Sequence, residues 1–213
     1  MVNWGGFMFS DGVSAYMEGV VQFNDYILSL VIYVFWFVVV LVIMEVYLGV
    51  GGDRNGGGGA LLEFVWTMLP MLLLIFMAYP SLILLYVNEV SLEPDLVVCV
   101  VGHQWYWEYL SLGGSLDSYM DGAGEYRILG VDNRLAIPSF SLVGVVSTSA
   151  DVIHSWAIPS LGVKVDCIPG RLNYTMLEVA GCGVFYGQCS ELCGVMHSFM
   201  PIVMEVVKVS GLT

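Results

Sequence analysis

Two stretches of this chain carry no charged side chain: Tyr26 to Met44, 19 residues, and Phe64 to Asn88, 25 residues. About 20 apolar residues suffice to cross a bilayer as a helix, and in hydrocarbon only a helix or a closed barrel satisfies every backbone polar group. Transmembrane helices are therefore predicted over 26–48 and 63–90, preceded by an N-terminal segment, 1–25, and joined by a loop, 49–62. Buried core helices are the alternative, but soluble cores seldom need uncharged runs of this length. Composition agrees: 58% of the 213 residues are hydrophobic and the mean hydropathy is +0.81, against about 45–50% apolar residues in soluble domains.

The first span does not read as a cleaved signal. The residues before it include Asp11, Glu18 and Asp25 and no Lys or Arg, whereas a signal needs a basic n-region and a shorter apolar core. Gly49 to Gly59 is dense in glycine and holds Arg54. It lacks the strand–helix context and Gly-Lys-Ser/Thr ending of a phosphate cradle, so it reads as a flexible turn. Arg54 places this loop on the matrix or cytoplasmic side and the rest of the chain beyond the helices on the other. Pro70 and Pro80 predict a kinked second helix. Glu45 reads as an interfacial charge at the end of the first span. Glu63 opens the second span, where an acid suits the helix dipole.

Residues 93–213 have a different texture. Short β-rich runs at Leu96–Val101, Gln104–Tyr109, Tyr126–Val131, Phe140–Ser147, Val163–Cys167, Leu172–Val179, Gly183–Tyr186 and Ile202–Val209 are divided by turn residues such as Gly113-Gly114, Asp132-Asn133 and Pro169-Gly170. That spacing predicts a β-sandwich or Greek-key barrel. Twelve acidic and five basic residues give this region a net charge of −7, within a chain total of −13. Such a surface repels nucleic acid and attracts a basic protein. Trp105-Tyr106-Trp107 reads as alternating sandwich core, with the two indoles on one face and Tyr106 on the other.

Cys189-Ser-Glu191-Leu-Cys193-Gly-Val-Met-His197-Ser-Phe-Met200 gathers two thiols, an imidazole and a thioether into twelve residues, and His154 lies 35 residues upstream. Soft thiolate and thioether donors favour copper, and methionine counts against zinc, although a zinc site stays open on the residues alone. A mononuclear copper site needs one cysteine. The surplus one fits two thiolates bridging two coppers, each with one histidine, and with Met200 and a carbonyl oxygen as weak outer ligands. A Cys189–Cys193 disulfide would leave the His and Met unexplained. The total of five cysteines is odd, which argues against a complete disulfide framework. Cys99, Cys167 and Cys182 read as buried structural thiols. The cluster is expected between the final two strands, with His154 closing an earlier one.

The Cys-x-Glu-x-Cys-x3-His-x2-Met run, with Asp151-Val-Ile-His154-Ser-Trp156, Ile168-Pro-Gly-Arg171 and Gly102-His-Gln-Trp105-Tyr106-Trp107, resembles cytochrome c oxidase subunit II over nearly the whole chain. The resemblance implies a two-helix transmembrane hairpin followed by an all-β cupredoxin-like Greek-key sandwich. It implies the dinuclear copper centre CuA, with Cys189 and Cys193 as bridging thiolates, His154 and His197 as terminal imidazoles, Met200 as a weak axial ligand and Glu191 through its backbone carbonyl. The Glu191 side chain would also help hold magnesium at the interface with subunit I. Trp105 would receive electrons from cytochrome c, and Glu63 would stand at the mouth of the proton pathway named for its lysine. Asp117, Asp132 and Asp151 match acidic positions that contact cytochrome c. The loop after Trp107 departs from the pattern: it is shortened, and Glu108 stands nearest to the usual carboxylate.

Haem a, haem a3 and CuB would belong to subunit I, since neither span contains a histidine. Other complex IV subunits, a mitochondrial inner-membrane location and a β domain in the intermembrane space follow from the same resemblance, with a bacterial plasma membrane as the alternative. Quinol oxidase subunit II lacks copper ligands, and nitrous oxide reductase lacks the hairpin. A membrane-tethered copper-binding or copper-carrier protein outside a respiratory oxidase is the competing function.

Overall fold

The computed structural model describes residues 10–49, 59–89, 92–122 and 126–208. Expectations for most of the glycine-rich loop, with Arg54, and for Val90 and Val209 fall outside them. The chain divides into a helical unit, Gly19–Glu89, and a β unit that includes the N-terminal residues to Glu18.

Helix α1 spans Ala15–Leu48 and α2 spans Ala60–Glu89, 34 and 30 residues. At about 1.5 Å rise per residue both are long enough to cross a bilayer. Neither buries a side chain, and Phe35, Trp36, Phe76 and Tyr79 are all more than half exposed. Apolar flanks of this extent need lipid or protein around them. Helix α2 continues unbroken through Pro70 and Pro80. Within this unit Gly19 permits a close helix approach: a Cβ there would lie 2.8 Å from Leu84 Cδ2.

The first residues of α1, up to Glu18, belong to the β unit and are capped there. The Ser14 hydroxyl accepts the Met17 N–H at 3.0 Å and donates to the Leu161 carbonyl at 2.7 Å. The first contact is an N-cap, which satisfies one of the helix's orphan donors. Beside it the Val13 N–H donates to Ser160 O at 3.0 Å.

Among the described residues ten strands build the β unit: β1 Leu96–His103, β2 Tyr106–Ser111, β3 Gly114–Ser118, β4 Leu135–Pro138, β5 Leu142–Ser149, β6 His154–Ile158, β7 Val163–Cys167, β8 Asn173–Glu178, β9 Gly183–Gln188 and β10 Pro201–Val207. They form a five-stranded sheet in the order β3-β2-β1-β5-β8, a three-stranded sheet β4-β10-β9 and the pair β6-β7. β1 runs parallel to β5, and β4 to β10, while the other pairings are antiparallel. Parallel neighbours require long crossovers, which makes this a Greek-key arrangement rather than a meander.

Alternating residues turn inward from the large sheet: Val98 and Val100, Trp107 and Tyr109, Val143 and Val145. They cluster with Ile137, Trp156, Ile158, Ile202 and Met204 from the other strands. Burial of each contributes about 1.5–3 kcal/mol. In β6 all five residues are buried, so no period-2 pattern marks it in the sequence.

Several expectations are corrected here. Tyr126–Val131 is a turn: Leu129 and Gly130 N–H both return to Tyr126 O at 3.3 Å, and Ile128 has φ 59°. β3 and β4 are short and were not predicted. His154 opens β6 instead of closing a strand, because β5 ends at Ser149 and a turn at Asp151-Val152 intervenes. Among the three structural thiols, Cys167 is buried, Cys99 is intermediate and Cys182 is exposed.

Gly187 sets the distance between β9 and β6, since a Cβ there would overlap the Ala157 carbonyl oxygen. Gly187→Ala is expected to destabilise the β unit by about 3 kcal/mol. Thermal unfolding followed by circular dichroism checks this, and an unchanged melting temperature would contradict the packing.

Candidate metal centre

β9 and β10 form a hairpin in which Gln188 pairs with Pro201. The twelve intervening residues, Cys189–Met200, are thereby closed into a loop, with the Cys189 N–H donating to Met200 O at 3.4 Å. Its path turns at Gly194, where φ is +127° and glycine avoids the steric cost of a side chain. A single 3-10 turn, His197–Phe199, then carries His197 back over the loop. Cys189, Cys193 and Met200 are buried, as is His154 on the adjoining β6.

The donor atoms converge. Cys189 Sγ lies 3.9 Å from Cys193 Sγ, 3.9 Å from His154 Nδ1 and 3.3 Å from the Glu191 carbonyl oxygen. Cys193 Sγ lies 3.5 Å from His197 Nδ1 and 3.5 Å from Met200 Sδ. All six residues assigned to copper by resemblance therefore meet at one place. His154 stands at Cys189 and His197 at Cys193, with His197 also hydrogen-bonded to Cys189, and the weaker donors lie on opposite sulfurs. The set is soft, which fits copper.

Electrostatics favour a cation here. Burial pushes the Cys189 thiol up, but hydrogen bonding to His154, to the backbone of Ser155 and Glu191 and to His197 more than offsets it and brings the thiol down to about 7. Burial and the neighbouring charge of Cys189 push Cys193 up to about 12. The two thiols are thus pushed in opposite directions, and a thiophilic cation bound between them would favour the deprotonated form of both.

A ring of contacts holds the donors. A Cβ on Gly102 of β1 would lie 2.8 Å from the His154 ring, so the bare glycine makes room for it. Asp151 Oδ1 meets His154 Nε2 at 2.9 Å, leaving Nδ1 toward the sulfurs. Burial opposes the Asp151 charge, but hydrogen bonds with His154, Val152 and Gln104 outweigh this and hold its carboxyl below its ordinary range. Trp107 packs edge-on to His154 at 5.9 Å and donates its indole N–H to Met200 O at 3.3 Å.

The remaining predicted residues lie elsewhere. Trp105 is in the turn between β1 and β2, half-buried, and its ring faces Gly194: a Cβ there would lie 3.1 Å from it. Its indole nitrogen is buried without a hydrogen-bond partner. Asp117 is exposed on β3. Asp132 is also exposed, but its Oδ1 accepts the N–H groups of Tyr119 at 2.8 Å and Asn133 at 2.7 Å. The Glu191 side chain is exposed, and Glu63 lies in the first turn of α2, in the helical unit. Gly102, Gln104, the indole of Trp107 and the contact of the exposed Asp151 with His154 were not legible as site features, although Asp151 stands three residues before His154, a spacing suited to a local carboxylate–imidazole contact.

Gly102→Ala is expected to push the His154 ring off its position and weaken copper retention by about tenfold, as loss of outer support typically does. Competition with a copper chelator measures this. Unaltered retention would show that the ring does not depend on Gly102.

Residues 2–84 match the family described as cytochrome c oxidase subunit II, transmembrane domain, and residues 96–207 match its periplasmic domain. Cytochrome c oxidase subunit 2 of Drosophila subobscura is 43% identical over 218 residues, covering 99% of this chain and 95% of the relative. That of Myxine glutinosa is 40% identical over 216 residues, covering 97% and 94%. The crystal structure of the periplasmic domain of subunit II of cytochrome oxidase from Bradyrhizobium japonicum aligns with a TM-score of 0.55 at 48% identity, covering 56% of this chain and 88% of that one. The matched regions take in both apolar helices, the cupredoxin-like Greek-key domain and the whole donor cluster, and the chain belongs to the cytochrome c oxidase subunit II family, a membrane-bound part of an oxidoreductase complex.

Proposed function

We propose that the chain takes electrons from cytochrome c at a dinuclear CuA centre held by Cys189, Cys193, His154, His197, Met200 and the Glu191 carbonyl. It would pass them to haem a of subunit I, where haem a3 and CuB complete oxygen reduction to water coupled to proton translocation. One observation carries the reading: two sulfurs 3.9 Å apart, each with an imidazole nitrogen within 3.9 Å. Two thiols flanked by two imidazoles suit two metal ions better than one. Copper bound there would supply one-electron redox chemistry.

The chain's own residues bury the donors, exclude water and fix the ring orientations. Trp105, seated against the ligand loop at Gly194, is the ring that faces cytochrome c. Asp117 and Asp132 contribute to the acidic surface that attracts a basic partner, a term that mainly raises the association rate and falls with salt. The exposed Glu191 carboxylate is a hard donor suited to magnesium, with subunit I supplying further ligands. Glu63 stands at the entrance of the proton pathway of subunit I. The mitochondrial inner membrane, with the β unit in the intermembrane space, is supported by the insect and hagfish relatives.

In the purified oxidase, oxidised copper is expected to show the EPR and near-infrared signature of one electron shared between two coppers. A copper-replete preparation without that signature would overturn the assignment. Stopped-flow mixing with reduced cytochrome c separates two further roles. Trp105→Phe is expected to slow copper reduction and leave proton uptake at its parent rate, while Glu63→Gln is expected to do the reverse. Equal effects of both variants on both steps would contradict these roles. Salt-independent association with cytochrome c would remove Asp117 and Asp132 from docking, and failure of manganese to replace magnesium beside Glu191 would remove the metal-bridging role.

A further inference from the structure

Gln104 occupies the two-residue turn between β1 and β2 and is exposed, yet it is engaged at both ends. Its backbone N–H donates to Asp151 Oδ2 at 2.6 Å, and its side-chain Nε2 donates to the Cys193 carbonyl at 2.8 Å. Asp151 in turn uses Oδ1 on His154 Nε2 at 2.9 Å and on the Val152 N–H at 2.6 Å. The contacts run His154–Asp151–Gln104–Cys193 and join a donor residue on β6 to one in the ligand loop, 39 residues apart in the chain.

We infer that Gln104 is a positioning residue which, through Asp151, locks the His154 and Cys193 segments into one rigid frame around the metal site. The inference rests on the copper reading of that site. The chemistry of the side chain is specific. Only the amide nitrogen donates to a carbonyl, so glutamate would set two acceptors against each other. Asparagine is one methylene too short for the span. An exposed glutamine freed from this bond would regain rotamer freedom, so the contact must offset that entropy. Asp151, one of the acids matched to cytochrome c docking, has both oxygens occupied by internal contacts and acts here on His154. Trp105 follows Gln104 directly and packs at Gly194, next to Cys193, so the same frame also sets the ring against the loop.

The test uses the assembled oxidase carrying Gln104→Met, which keeps the length and removes the donor, and Asp151→Asn. Gln104→Met is expected to release copper to a chelator about fivefold faster, the factor corresponding to a net hydrogen-bond contribution of about 1 kcal/mol. Asp151→Asn is expected to weaken copper affinity by about 10- to 100-fold. Both should alter the copper EPR parameters while leaving the salt dependence of cytochrome c association at its parent slope. Gln104→Asn, a milder change expected to act in the same direction, serves where Gln104→Met does not assemble. Parent-like copper release and EPR in the glutamine variants would overturn the inference, as would an Asp151→Asn effect confined to the salt slope. Failure of the copper reading itself is distinct: the unmutated oxidase would then lack the dicopper signal.

Discussion

The pairing of β9 with β10 is the constraint on which the site depends. With Gln188 opposite Pro201, the two ends of the ligand loop start side by side, and Cys189 and Met200 are brought together by backbone pairing. The loop would otherwise be long for a compact domain. Here its length is taken up by the turn at Gly194 and the short helix at His197. Thiol, imidazole and thioether can then point to one centre without a covalent tie.

The second anchor is the β6 end of the sandwich. His154 is fully buried, and a buried imidazole needs partners for its polar atoms. Asp151 meets one ring nitrogen and Cys189 the other. Gly102 gives the ring its space, and Trp107 closes on its edge while holding Met200 O. Residues from β1, β2 and the β5–β6 turn thus support donors on β6 and on the β9–β10 loop. The rigidity that an electron-transfer site needs comes from this packing around the donors.

Much of this was legible in the residues. The uncharged runs announced two spanning helices, and the structure contains α1 and α2 with exposed apolar flanks. β7 was predicted with its observed ends, and β1, β5, β8 and β10 within a few residues. β6 was hidden because burial on both faces erases alternation, and Tyr126–Val131 misled because a hydrophobic run in a turn looks like an edge strand. Tyr106 and Trp107 do lie on opposite faces of β2: Trp107 is buried, while Tyr106 stacks on His103 and Tyr119 at 4.5 and 4.4 Å. Trp105 lies outside that strand, in the turn, so alternation does not govern its placement.

Side-chain chemistry alone identified the kind of site. Two cysteines and two histidines leave zinc open, and the methionine turns the balance to a soft, one-electron metal, while charge-free runs of this length fit a membrane better than a soluble core. Local spacing also foretold the loop, because neighbours in sequence remain neighbours in space. Folding decided the rest: which nitrogen of His154 faces the sulfurs, that the Asp151 carboxylate meets His154, and that Gln104 reaches Cys193 across 89 residues. These contacts depend on the crossover order of the sheets and on volumes such as the one left free at Gly102. No short-range pattern encodes them, since their energy comes from groups brought together only by packing of the whole sandwich.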